Sequence, residues 1–174
     1  NLDIACDPRT TPLGTATASH IIEGTLQRYP INVCGIKEFP SNSGVSDPTS
    51  PYYIKGAEGM AVVASIASKH FADLAADYIA NGKPKGVNLV AGFTFRPYEL
   101  QVQLYKNRSS PSAAAPPGKS NHEAGIAIDF LNIGGGVKEG ATCENRSARP
   151  EIKEWEYLNS TAQKFGVYQL PIEA

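Results

Sequence analysis

The chain has 174 residues, enough for one domain with a real core, and its hydrophobic fraction of 41% is ordinary for a globular protein. A formal net charge of -1 gives no argument for a polyanionic partner such as nucleic acid, and no apolar run approaches the ~20 residues a membrane-spanning helix needs. The opening NLDIACDPRT lacks a basic start followed by an apolar stretch, so no secretory leader is expected in it; a mature form with its leader removed is one of the readings this leaves open.

Residues 1–58 carry little periodicity and many turn formers. FPSNSGVSDPTSPYY is a Pro- and Ser-rich loop. Ile21, Ile22, Leu26, Ile31, Val33 and Ile36 make the region too apolar for a free linker. It is expected to be an irregular arm packed on a main domain at 59–174, with one short helix near TASHIIEGTLQRY. Cys6, Cys34 and Cys143 are far apart and show no CxxC spacing, which argues against a zinc knuckle. They allow one disulfide with one thiol left over. A Cys6–Cys34 bridge would staple the arm, and three free buried thiols is the alternative. Asn107, Asn145 and Asn159 open N-x-S/T triplets, which chance accounts for unless the host glycosylates secreted proteins.

From Gly59 the pattern sharpens. In MAVVASIASKHFADLAADYIANGK, Val63, Ile66, His70, Leu74 and Tyr78 recur at three- and four-residue steps, predicting an amphipathic helix closed by Asn81-Gly82. VNLVAGFTF alternates, with Val87, Leu89, Ala91, Phe93 and Phe95 on one face, and predicts a strand ended by Arg96. Pro97 suits the first turn of a helix over PYELQVQLYKN. SSPSAAAPPGK is a loop, AGIAIDFLNI a second strand, and GGGVKEGATCENRSAR a second long loop. Pro150 opens a helix whose stripe is Ile152, Trp155, Leu158, Ala162 and Phe165, with Trp155 in the core and Gly166 as the stop. VYQLPIEA reads as a short last strand. Helices alternate with strands, the connections are irregular, and no Gly-rich phosphate loop follows a strand. The fold class is α+β: a small, mainly antiparallel sheet with helices packed against it.

GKSNHEAGIAIDF holds the residues that could do chemistry, His122 and Asp129. On an ideal strand the two would stand ~23 Å apart and face opposite ways. They can meet on one ion only if His122 sits on a loop that folds back, which Gly125 permits. Spacing alone favours structural roles for both.

The segment PGKSNHEAGIAIDF reads P-G-x-S-x-H-x-x-G-x-A-x-D-F, and resembles the signature of zinc D-alanyl-D-alanine carboxypeptidases of the VanY kind. Their wider superfamily includes D,D-dipeptidases, phage L-alanyl-D-glutamate endopeptidases and the hedgehog signalling domain. GFTFRPYELQ resembles the family's strand-end arginine followed five residues later by glutamine, here Arg96 and Gln101. EIKEWEYLNSTAQKFGVY resembles its Trp-bearing helix before the last active-site strand. Together these cover about 59–174.

The resemblance implies a Zn²⁺ site with His122 and Asp129 as ligands and Glu173 as catalytic base. The family's closing Glu-x-x-His puts the third ligand just beyond Ala174; a chain without it would have lost that ligand. His20, in the arm, and His70, on the helix stripe, are poor substitutes. Arg96 would supply fixed positive charge to an oxyanion or a substrate carboxylate, and otherwise a strand-end ion pair. Ser120 would bond the substrate's carboxylate or simply cap its turn, and Gln101 would order the site from behind. Together these imply hydrolysis of peptidoglycan stem peptides, foremost D-Ala-D-Ala carboxypeptidase action. An L-Ala-D-Glu endopeptidase or a non-catalytic wall or partner binder are the alternatives. The expected setting is extracellular, periplasmic or cell-wall associated, acting as a monomer with no nucleic-acid partner.

Overall fold

The computed structural model describes residues 2–111, 113–134 and 149–169. Strands β1 (Thr11–Ile22) and β2 (Thr25–Ile36) form a long antiparallel hairpin in register Ile22↔Thr25. The short helix expected near residues 17–29 is therefore absent, and residues 11–36 of the supposed irregular arm are regular sheet apart from the turn. Glu23 and Gly24 make the turn with φ of 51° and 77°, the left-handed pair that suits the twist of a two-residue hairpin. Asn-Gly or Asp-Gly would have announced this turn; Glu-Gly does not.

β2 also pairs antiparallel with β3 (Ala61–Ala64), in register Val33↔Ala64 and Ile36↔Ala61, giving the sheet order β1-β2-β3. A small antiparallel sheet with packed helices confirms the α+β class. β3 takes the first residues of the expected long helix, because Val62 and Val63 complete the sheet and are buried on both of its faces. Val63 joins a cluster with Ile36, Phe39, Phe71, Leu74, Tyr78 and Leu89. Val62 joins Ile31, Val33, Val45 and Phe95 on the other face.

Helix α1 accordingly starts late, at Ser65, and runs to Asp77 before a wider turn at Tyr78–Gly82. Its buried side is Ala67, Phe71, Leu74 and Ala75. Ile66 and His70, placed on the core stripe by sequence, are exposed. The Cys6–Cys34 disulfide ties the N-terminus to β2, and Cys143 lies outside the described residues.

Residues 87–95 are extended but form only isolated bridges, Ala91 to Ser41 and to Phe130, instead of the expected strand. The segment after Gly125 lies beside them through single bonds: Asp129 N–H to Phe93 O at 2.8 Å, Gly92 N–H to Asp129 O at 2.6 Å and Leu131 N–H to Val90 O at 2.7 Å. Helix α2 (Tyr98–Lys106) follows Pro97 as predicted. Helix α3 (Lys153–Thr161) and a tight turn at Ala162–Phe165 end at Gly166, with φ 78°. Trp155 is only half-buried. The neighbouring Tyr157 is the buried ring, 6.0 Å from Tyr78, and donates to Asp77 at 2.7 Å. Residues 167–169 form no strand; 170–174 lie outside the described residues, as do 135–148, which hold most of the expected second long loop.

Candidate active site

Residues Asn121–Ala124 form a short 3-10 turn rather than the start of a strand. Ser120 caps it, its Oγ accepting the His122 N–H at 3.2 Å, while the Glu123 carboxylate accepts the Ser120 N–H at 3.2 Å. This is a reciprocal capping box, and Ser-x-x-Glu is its sequence signature. Gly125 then reverses the chain at φ 74°. A Cβ there would stand 2.8 Å from the Ala64 backbone nitrogen, so only glycine fits. The reversal lets His122 and Asp129 meet: Nε2 lies 3.1 Å from Oδ1.

The other His122 nitrogen fixes the tautomer. Nδ1 is 2.8 Å from the Thr94 carbonyl oxygen, which can only accept, so Nδ1 carries a proton. In neutral His122 the Nε2 lone pair then points at a carboxylate oxygen. Two lone pairs at that distance require a cation between or beside them, a proton or a metal ion. The spacing is slightly shorter than that of two ligands of one tetrahedral zinc, which at bonds of about 2.0–2.2 Å sit roughly 3.3–3.6 Å apart. An imidazole locked through its second nitrogen is the usual arrangement of a metal-binding histidine. The residues present therefore fit part of a zinc site. Among the described residues no third His, Cys, Asp or Glu completes a cluster.

Arg96 stands beside the pair. Its N–H donates to the His122 carbonyl at 2.9 Å, its Nη1 to Gln101 Oε1 at 2.6 Å, and its Nη2 lies 3.8 Å from Asp129 Oδ2. The guanidinium carbon sits 4.5 Å over the Phe93 ring. Burial presses the guanidinium below its ordinary pKa, against the opposing pull of Asp129 and Glu123. Its Nε is buried with no partner among the described residues. For Asp129, partial burial works to raise the pKa. The His122 hydrogen bond and the His122 and Arg96 charges outweigh it, and hold the carboxyl below its ordinary value.

The structure thus brings His122, Asp129, Arg96, Gln101 and Ser120 together. Glu173 lies outside the described residues. His70 is exposed with Nδ1 bonded to Phe165 O at 2.9 Å, and His20 is half-buried on β1. Neither joins the His122–Asp129 pair. Sequence reasoning missed the Thr94 carbonyl, the Phe93 face and Glu123. Only Glu123 had a readable signal, the capping box.

No curated protein and no solved structure matches the chain. Residues 63–171, more than half of its length, match the model of the family described as VanY, D-alanyl-D-alanine carboxypeptidase. The segment spans Thr94, Arg96, Gln101, Ser120, His122 and Asp129, and the chain belongs to the VanY family of D-alanyl-D-alanine carboxypeptidases.

Proposed function

We propose that the protein is a zinc-dependent D,D-carboxypeptidase that removes the terminal D-alanine from peptidoglycan stem peptides. The observation that carries this reading is the His122 Nε2–Asp129 Oδ1 approach at 3.1 Å, with the imidazole locked by Thr94. His122 and Asp129 would hold the ion. When bound, zinc would polarise the scissile carbonyl and lower the pKa of a bound water towards ~7.

The chain's own groups do the rest. Arg96, held by Gln101 and Phe93, offers Nη2 as a donor to an anionic oxygen, either the substrate carboxylate or the oxyanion that develops on attack. Ser120 Oγ caps the His122 turn by accepting, and its own O–H, which has no acceptor among the described residues, would donate to the substrate carboxylate. Glu173 is assigned the proton transfer from water to the leaving amine, on its place after the Trp-bearing helix. A third ligand is assigned just beyond Ala174. An extracellular, periplasmic or cell-wall setting suits both the substrate and the Cys6–Cys34 disulfide.

The test is D-alanine release from a D-Ala-D-Ala pentapeptide by full-length protein, with and without chelator. Chelator-sensitive release supports the reading. Zinc-loaded protein that instead cuts the L-Ala-D-Glu bond, or cuts nothing, refutes it.

A further inference from the structure

Asp129 shares the open face of its segment with one large apolar side chain, Leu131. Phe130, between them, bridges to Ala91 and turns inward, its ring 5.1 Å from that of Phe39. Extended residues alternate faces, so Asp129 and Leu131 both point outward, about 7 Å apart along the segment. Both are half-exposed.

A single exposed leucine needs no explanation by itself. This one is fixed in place beside the site. Its N–H donates to the Val90 carbonyl at 2.7 Å, and its side chain lies against Gly92, where a Cβ would stand 3.0 Å from Leu131 Cδ2. Gly92 also donates to the Asp129 carbonyl at 2.6 Å, so one glycine seats Leu131 and holds the backbone of Asp129.

The two segments run antiparallel. Phe93 O accepts the Asp129 N–H, and Val90 O accepts the Leu131 N–H. Arg96 follows Phe93 by three positions and Val90 precedes it by three. Arg96 and Leu131 therefore flank Asp129 on opposite sides. A peptide whose terminal carboxylate sits on Arg96, with its scissile carbonyl at the His122–Asp129 pair, continues towards Leu131. Its terminal residue is on the arginine side, and the residue before it is on the leucine side.

We propose that Leu131, seated on Gly92, is a specificity-determining residue that packs on the penultimate side chain of the peptide and limits it to about the size of a methyl group. The inference rests on the carboxypeptidase reading and on Arg96 taking the substrate carboxylate.

The test uses three peptides, ending in D-Ala-D-Ala, D-Leu-D-Ala and D-Ala-D-Leu, with zinc-loaded full-length protein. In the wild type, kcat/KM is expected to fall about tenfold or more when the penultimate residue is enlarged, the scale set by methylene groups in a fitted apolar site. Leu131→Ala is expected to abolish that penalty and to leave the penalty for the enlarged terminal residue unchanged. Gly92→Ala, which crowds the seat of Leu131, is expected to deepen the penultimate penalty and spare the terminal one. Equal penultimate penalties in wild type and Leu131→Ala overturn the inference, as does an effect of Leu131→Ala confined to the terminal residue. Titration of the same peptides into metal-free protein gives a second readout. There the wild type is expected to bind the D-Leu-D-Ala peptide about tenfold more weakly than the D-Ala-D-Ala peptide, and Leu131→Ala to bind them alike. No such difference in the wild type overturns the inference. A wild type that shows the binding difference but, loaded with zinc, cleaves none of the peptides overturns the carboxypeptidase reading alone.

Discussion

Gln101 accepts the Arg96 Nη1–H at 2.6 Å and donates its own Nε2–H to the Ala115 carbonyl at 2.8 Å, so one fully buried amide ties the guanidinium to the loop before the His122 turn. Gln101→Ala removes both bonds and leaves a buried guanidinium N–H unpaired, a loss of about 1–3 kcal/mol. Urea unfolding should show that loss. In the proposed peptidase, kcat should fall more than KM rises if Arg96 serves the transition state.

Gly125 is the residue without which His122 and Asp129 could not meet. Gly125→Ala puts a side chain in a left-handed conformation and 2.8 Å from the Ala64 backbone. A strained backbone of this kind costs of order 1–3 kcal/mol before the clash is counted. The expected result is a lower urea midpoint together with weakened metal binding. Unchanged stability would mean that the turn can be rebuilt.

At the N-terminus, Arg9 bonds Asp7 through Nε at 2.8 Å and Asp73 through Nη2 at 2.7 Å. The Arg9 hydrogen bond pulls the Asp7 pKa from 3.8 down to about 2. The folded-state value is depressed, so the stabilisation is present above the unfolded pKa and is lost as pH falls through about 2. Between pH 4 and pH 2 the wild type should lose stability faster than Asp7→Asn. Parallel acid-unfolding curves would show that this pair contributes nothing.

Glu173→Ala is expected to keep zinc and lose D-alanine release, since a general base is needed for turnover and not for metal retention. Loss of the metal in this variant would reassign Glu173 as a ligand.

Spacing alone favours structural roles for His122 and Asp129; the family resemblance is what groups them with Arg96 and Gln101, and the structure brings these four side chains together. The hairpin was not legible: its turn is Glu-Gly, β2 is exposed from Thr25 to Pro30, and the consecutive Ala18 and Ser19 of β1 are both buried, so the apolar alternation that marks a half-buried strand is missing. The late start of α1 was hidden for the opposite reason. Ala61–Ala64 is buried on both faces, and a short, wholly apolar run fits a strand or a helix equally well. The segments 87–95 and 126–131 alternate like strands, yet they join by single bonds, because each is tied as much to the site as to its neighbour. Thr94 spends its carbonyl on His122 and its hydroxyl on the Val62 N–H. Such long-range backbone ties leave no trace in composition or period.

The central claim, that the His122–Asp129 approach is a zinc site, is tested most directly by zinc per chain in full-length wild type and in folded His122→Ala. One zinc in the wild type and none in the variant is the predicted result. Zinc retained by His122→Ala would contradict it.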